Sequence, residues 1–301
     1  MREISRTIPV LRDEFASLPL HQRPVAAAPA AYGWSIGPHL PACAAIAIAA
    51  ALYAGGARAA DLAAKAPAAA VYSWSGCYIG ANAGVGMASS DFGSSVAGGT
   101  HLLGADPGVA GLAGTGSADS TGFAGGGQVG CNLQSGTLVY GLEGDIDYFH
   151  GTSRFSNGTN TLSDGTPFTI NQSATSNYIA TIRPRIGIAA DRNLAYLTGG
   201  VAFTSVSYTQ TYVDGPSAGT VATPGTGVAS ASKALVGWAA GAGWEHAFTD
   251  HATFRLEYIY ASFPSTSALG AITDPTGGAN VLHGSANLTI QTARLGLNYK
   301  F

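Results

Sequence analysis

From Trp74 to the end of the chain, apolar and polar positions alternate with a period of two, as in strands with one greasy face and one wet face. The closing stretch Asn287–Phe301 is the clearest case. Counted back from its end, Phe301, Tyr299, Leu297, Leu295 and Ala293 are apolar, with Lys300, Asn298, Gly296 and Arg294 between them. Seven earlier stretches read in the same way: Trp74–Met87, Gly122–Leu133, Leu138–Phe149, Asn177–Ala189, Leu194–Val206, Lys233–Phe248 and Ala252–Phe263. Leu194–Val206 is apolar on both faces, and its facing stays open.

The links between the stretches alternate too. Gln134–Thr137, Ala190–Asn193 and Thr249–His251 are short; the other four are long and rich in Gly, Ser, Thr and Asn. Strict short/long alternation predicts an all-β fold: an eight-stranded antiparallel up-and-down transmembrane β-barrel with short periplasmic turns and four long outer loops. An even strand count closes the sheet without edges and puts both termini in the periplasm.

The polar face sets the direction of the strands. Opposite the apolar positions lie Glu143, Asp145, Asp147, Glu245 and Glu257, and with them Arg183, Arg185, Arg255, Arg294 and Lys300. These five acids and five bases cancel. A water-soluble barrel turns its apolar face inward and leaves charges outside. Its core could not bury ten ions cheaply, because each unpaired one costs several kcal/mol. The opposite arrangement, apolar toward lipid and charged toward the axis, makes these residues a lumen ion-pair network. Inward glycines leave room for the arginine side chains, and the narrow interior is filled rather than open.

Composition agrees. Charged residues are 10% of the chain and glycine is 42 of 301. The longest apolar run, Ala42–Ala54, is shorter than the roughly 20 residues of a membrane helix. It is followed by Ala57-Arg58-Ala59, a small-residue cleavage pattern, so residues 1–59 read as a signal or presequence. Residues 1–40, with Arg2, Arg6, Arg12 and Arg23, exceed an ordinary basic n-region and read as an extended one or as a misplaced start. Residues 60–73 form an Ala/Pro-rich periplasmic lead-in, and 74–301 the barrel. A net charge of −3 excludes a generally basic nucleic-acid binder.

The residues resemble the small outer-membrane immunogenic (opacity-like, porin-like) barrels of alphaproteobacteria. The resemblance rests on Ala60-Asp61-Leu62 with the Ala/Pro segment, on Trp74-Ser-Gly-Cys-Tyr-Ile-Gly-Ala-Asn-Ala-Gly84, and on Gly125-Gly-Gly-Gln-Val-Gly-Cys-Asn132. It continues through Val139-Tyr-Gly-Leu-Glu-Gly-Asp145, Thr198-Gly-Gly200 and Arg294-Leu-Gly-Leu-Asn-Tyr-Lys-Phe301, in order along the mature chain. It implies an outer-membrane barrel with no established catalytic residues. The aromatic end, with Leu297, Tyr299 and Phe301, resembles the signal read by the barrel-insertion machinery. Three departures stand out. Cys77 and Cys131 replace usual aromatics near the periplasmic ends of neighbouring strands, giving either a cross-strand disulfide or two lipid-facing thiols. Pro184 sits within a strand and predicts a bulge or local break. The link Ser89–Thr121 is long, Gly-rich and expected to be mobile.

Other chemistry is weaker. Gly125-x-Gly127-x-x-Gly130 matches a dinucleotide fingerprint literally but is followed by turn and strand, not helix. His101, His150, His246, His251 and His283 show no metal-binding spacing and read as scattered surface histidines. The sequence therefore predicts a non-enzymatic outer-membrane barrel with a structural, envelope-anchoring and surface-exposed role, and at most a narrow pore. No cofactor or metal is expected; the partners are outer-membrane lipid and the insertion machinery, and the ligand of the outer loops is unknown. The alternatives are an outer-membrane enzyme or a loop-mediated binding or adhesion module.

Overall fold

The computed structural model describes residues 72–216 and 224–301. The presequence and the lead-in as far as residue 71 lie outside the described residues. Among the described residues, eight long strands form one antiparallel sheet: β1 (Gly76–Ala97), β2 (Gly116–Ser135), β3 (Leu138–Ser156), β5 (Pro167–Ala190), β6 (Asn193–Asp214), β7 (Thr226–Ala247), β8 (Ala252–Thr273) and β9 (Ala279–Lys300). A two-residue strand, β4 (Asn160–Thr161), pairs with the start of β5, and helix α1 (Asp106–Ala113) lies between β1 and β2. The long strands pair in sequence order, β3 with β5 across the β4 link, and β1 pairs with β9, so the sheet closes on itself. The short turns are tight: Gly136 takes a left-handed φ of 62° in one, and Asp191 a φ of 52° in another.

The strands are 19–24 residues long, about twice the 9–11 that cross a bilayer. Much of what reads in sequence as outer loop is strand. The link Ser89–Thr121 is mostly regular: β1 runs on to Ala97, α1 follows, and β2 starts at Gly116.

Solvent explains why the pattern fades there. Near the short-turn end, Leu142, Ile182 and Leu256 point outward and are 56%, 54% and 43% exposed, while Asp145, Arg183 and Arg255 are buried. Exposed aromatics bracket this zone, with Tyr140, Trp244 and Tyr299 below and Tyr148 and Trp238 above. Eight positions separate Tyr140 from Tyr148 on β3. At about 3.4 Å per residue and a tilt of about 40°, that spans roughly 21 Å of depth, close to the apolar band of such barrels. Above it the faces exchange character. Phe92, Ile170, Val206, Tyr208, Tyr212, Ile272 and Leu282 are buried inside, and Asp91, Arg154, Asn171, Ser207, Ser232 and Asn287 are exposed outside. The outer storey has the facing of a soluble barrel on top of a membrane barrel.

Register irregularities gather at the junction. β3 slips against β5 between Tyr148 and Gly151, and β5 against β6 between Ser176 and Ile179. β8 slips against β9 between Phe263 and Thr266, and β7 and β8 are unpaired between Ala229 and Trp238. In β5 and β8 the bulge changes which parity faces inward: Ala174 and Ser176 give way to Ile179 and Thr181, and Ile259 and Phe263 to Thr266 and Ala268. Pro264 lacks the ladder donor and sits in the β8 bulge. Pro184 breaks the ladder without a bulge. Its partner on β3 is Leu142, but the β5–β6 pairing passes from Ile182↔Val201 to Arg185↔Thr198 in unchanged register. The Thr198 hydroxyl donates to the Pro184 carbonyl at 3.0 Å.

Cys77 and Cys131 are direct cross-strand partners, with Cα atoms 4.0 Å apart and their sulfurs bonded. The bond ties β1 to β2 at the periplasmic rim across 54 residues of sequence. Peptide mapping of oxidised protein is expected to give one linked pair. Replacing both cysteines by serine is expected to lower stability in detergent by about 2–4 kcal/mol, read by urea unfolding; an unchanged midpoint would contradict this role. The exchange of faces predicts an asymmetry as well. Leu142→Arg is expected to cost about 2–4 kcal/mol in lipid, whereas Ser207→Arg, on the outward face of the outer storey, stays within about 0.5 kcal/mol of wild type.

Candidate functional site

The strands of the lower storey bring the polar face to the axis. Its four guanidiniums interleave with five carboxylates among the described residues. Arg183 on β5 contacts Asp145 at 2.8 Å, Glu143 at 3.1 Å and Glu257 at 3.4 Å. Arg294 on β9 contacts Glu257 at 2.7 Å, Asp145 at 3.1 Å and also Asp147. Arg255 on β8 contacts Glu143 at 2.5 Å and Glu257 at 3.3 Å. Arg185 reaches Glu245 at 3.2 Å and Glu143 at 3.7 Å. Arg183 and Arg255 are 0% exposed and Arg294 1%. Ions so far from water are tolerable only when their hydrogen-bonding capacity is met as well.

Much of that capacity is met by neutral groups that the alternation of the sequence puts on the polar face, and by Tyr196, from the one stretch whose facing the sequence leaves open. Tyr196 donates to Glu257 at 3.0 Å, Thr181 to Asp145 at 2.5 Å, and Tyr78 to Glu143. Asn82 donates to Asp147 at 2.8 Å and Asn298 to Glu245 at 2.9 Å. Gln128 links Asn82 to Asn298, and Asn132 accepts from Arg185 at 2.8 Å. The Arg185 guanidinium lies between the rings of Tyr78 and Tyr196, 4.8 and 5.0 Å from their centres. Parity was the available signal for all but Tyr196, whose stretch is apolar on both faces in sequence. Glycine makes the density attainable. A Cβ on Gly296 would stand 2.9 Å from Arg255 Cγ, so a side chain there would force the arginine stem to shift.

Lys300 departs from the sequence reading. It is the last residue of β9, at the rim, and takes no part in the lumen network. Its ammonium donates to the Ser73 carbonyl and stands 4.2 Å from the centre of the Tyr72 ring. At the barrel mouth it keeps its contact with water and clamps the incoming chain. That chain closes the mouth. Tyr72 and Trp74 are buried against Val139, Ala189, Leu194, Tyr196 and Ala247, and the Trp74 indole donates to the Asp191 carbonyl at 3.2 Å. The sequence places Tyr72 in a lead-in; here it belongs to the plug.

Above the ions the interior is mainly apolar, with Gln172 and Gln210 buried in it and bonded to the Tyr208 hydroxyl. Phe92, Phe149, Tyr208, Ile259 and Leu288 belong to one buried cluster that reaches Leu102 and Ala110, the latter on the buried face of α1. The outer mouth is tied by His101, whose ring nitrogens contact Asp214 at 2.7 Å and Asp274 at 2.9 Å. This pairing is a second departure, since His101 reads in sequence as a surface histidine: its partners lie 113 and 173 residues away. Gly125, Gly127 and Gly130, the dinucleotide-like run, lie within β2 with no helix after them. Leu297, Tyr299 and Phe301 point outward at 59%, 57% and 71% exposure, on the lipid side of the rim.

Residues 57–301 match the family model described as "Outer membrane protein beta-barrel domain". The chain is 31% identical over 264 residues to the 31 kDa outer-membrane immunogenic protein of Brucella melitensis biotype 1, covering 84% of this chain and 96% of that protein. It is 27% identical to the 25 kDa outer-membrane immunogenic protein of Brucella canis over 57% of this chain and 62% of that one. Among solved structures it is similar to the outer membrane protein OprG from Pseudomonas aeruginosa, with 14% identity, a TM-score of 0.35, and coverage of 75% of this chain and 96% of that chain. The family-model match and the 31% identity to the Brucella melitensis protein place the chain in the outer-membrane β-barrel family, alongside the outer-membrane immunogenic proteins of Brucella, and in the outer membrane of a Gram-negative cell.

Proposed function

We propose that this outer-membrane barrel works as a sealed anchor that presents a rigid β-collar outside the cell, without catalysis and without an open path for solute. The observation that carries this reading is the filled axis. Trp74 stoppers the periplasmic mouth, ion pairs fill the membrane span, and aromatic and aliphatic side chains fill the collar up to α1. Water or solute crossing this interior would have to displace charges that have few other partners. In this reading the outward Leu297, Tyr299 and Phe301 serve recognition by the insertion machinery, and lipid covers the belt between the aromatic rows. The naming of relatives as immunogenic supports an exposed collar. A binding role for the collar draws support from Leu103 and Leu112 beside the outer mouth, 62% and 79% exposed in a segment beyond the lipid.

In planar bilayers the purified barrel is expected to give no steady channel; regular steps of appreciable conductance would overturn the sealed-anchor reading. Glu257→Gln removes a carboxylate shared by Arg183, Arg255 and Arg294. It is expected to cost about 3–5 kcal/mol of stability, because the guanidiniums stay buried. Urea unfolding in micelles reads this directly, and a loss below about 1 kcal/mol, the scale of an exposed pair, would show that the ions are hydrated after all.

A further inference from the structure

The β1–β2 connection folds across the outer mouth and is held there by few side chains. Its own Leu102 and Ala110 are buried on its underside against the interior, where Phe168 stacks on Tyr212 at 5.9 Å. Asn280 on β9 accepts the backbone N–H groups of His101 and Leu102 at 3.1 and 2.7 Å. Asp106, at the start of α1, accepts the Ser163 N–H at 2.8 Å. Thr100 donates its N–H to the Ala279 carbonyl at 2.9 Å and accepts the Ala279 N–H on its hydroxyl at 3.0 Å, and Gln172 donates to the Gly114 carbonyl. The tie that carries charge is His101, which bridges the end of β6 through Asp214 and the β8–β9 turn through Asp274.

The chemistry of that bridge is asymmetric. Both ring nitrogens face carboxylate oxygens, and carboxylates only accept hydrogen bonds. A neutral imidazole has one N–H and one lone pair, so it satisfies one aspartate and repels the other. The imidazolium satisfies both. The aspartates cannot swing aside. Asp214 also accepts from the Tyr212 hydroxyl at 3.1 Å and from the Gly225 N–H. Asp274 accepts from the Thr276 hydroxyl at 2.6 Å and the Gly278 N–H at 3.0 Å. We propose that His101 is a proton-operated latch: protonated, it pins the β1–β2 connection, the end of β6 and the β8–β9 turn together over the outer mouth, and on losing its proton it releases them.

The surrounding charges agree. β6 supplies Asp214 and the Tyr212 phenol, the β8–β9 turn supplies Asp274, and Asp106 and Asp164 stand close enough to act on Tyr212. Every carboxylate in this set favours the cation. Burial opposes the charge on His101, but the hydrogen bonds and charges of the two aspartates outweigh it and raise the imidazole above its ordinary 6.5. The Thr276 hydroxyl, with lesser help from Gly278 and His101, holds Asp274 well below its ordinary 3.8. The latch contribution is therefore complete below the unfolded histidine value and is lost as pH rises through the folded one.

The test is hydrogen–deuterium exchange of the full barrel in micelles, following residues 102–114 and correcting for intrinsic exchange at each pH. Between about pH 6 and about pH 9 the wild type is expected to lose about tenfold of its protection there while the β1 and β9 ladders hold theirs. His101→Gln is expected to start lower and stay flat, and His150→Gln to behave as wild type. Should His101→Gln fail to insert, Asp274→Asn decides, because it keeps the histidine and removes one carboxylate: its transition must move to lower pH. Equal wild-type protection at both pH values, a fall that persists in His101→Gln, or an unmoved transition in Asp274→Asn would each overturn the latch.

Discussion

A strand that passes from hydrocarbon into water must exchange the character of its two faces, and this structure is arranged around that exchange. In lipid, burial inside a barrel gains nothing from the hydrophobic effect, because the outside is as apolar as the inside. Cohesion there comes from ion pairs and hydrogen bonds across the axis, from Glu143, Asp145 and Glu257 to Arg183, Arg255 and Arg294. Beyond the aromatic row of Tyr148 and Trp238 the outside is water. Burial again drives packing, and Phe92, Tyr208, Ile272 and Leu282 turn inward. The bulges at the junction let one chain serve both solvents, shifting β5 and β8 by a residue where their parity would otherwise be wrong.

The plug follows from the same constraint. An eight-stranded ring has an interior about as wide as its side chains. Once ions occupy it, each must be neutralised by a neighbour on another strand, and that coupling ties five strands, β3, β5, β7, β8 and β9, through a few charged groups. Neutral groups on β1, β2 and β6, namely Tyr78, Gln128 and Tyr196, complete the ring. The two ends close differently. The periplasmic mouth takes Tyr72 and Trp74 with Lys300 as clamp, and the outer mouth takes α1 with His101 as its tie.

The membrane storey was legible because lipid enforces alternation strictly. Leu142, Ile182 and Leu256 against Asp145, Arg183 and Arg255 fix the facing from sequence, and nine of the ten charges assigned to the lumen network meet there. Lys300 did not, because parity says nothing about depth and the rim still touches water. The outer storey was less legible for a physical reason. Its outward face is rich in Ser, Thr and Asn, the residues of loops, with Val213, Val228, Leu269 and Val281 scattered among them, and its inward face includes small side chains such as Ala174, Ala229, Ala268 and Ala286. Against that background, strands such as Pro167–Ser176 and Pro264–Thr273 read as linker, and the bulge at Pro264 reads as a strand end. The contacts of His101 with Asp214 and Asp274 are long-range and leave no periodic trace.

One measurement reaches the centre of this account. Spin labels placed one at a time along β3 from Leu138 to Ser156, in lipid, report contact with dissolved oxygen or with a water-soluble relaxer at each position. The account predicts oxygen contact at Leu142 and Ile146, water contact at Thr152 and Arg154, neither at Asp145 or Ser153, and a change of solvent between Tyr148 and Thr152. Oxygen contact continuing through Arg154, or water reaching Asp145, would contradict it.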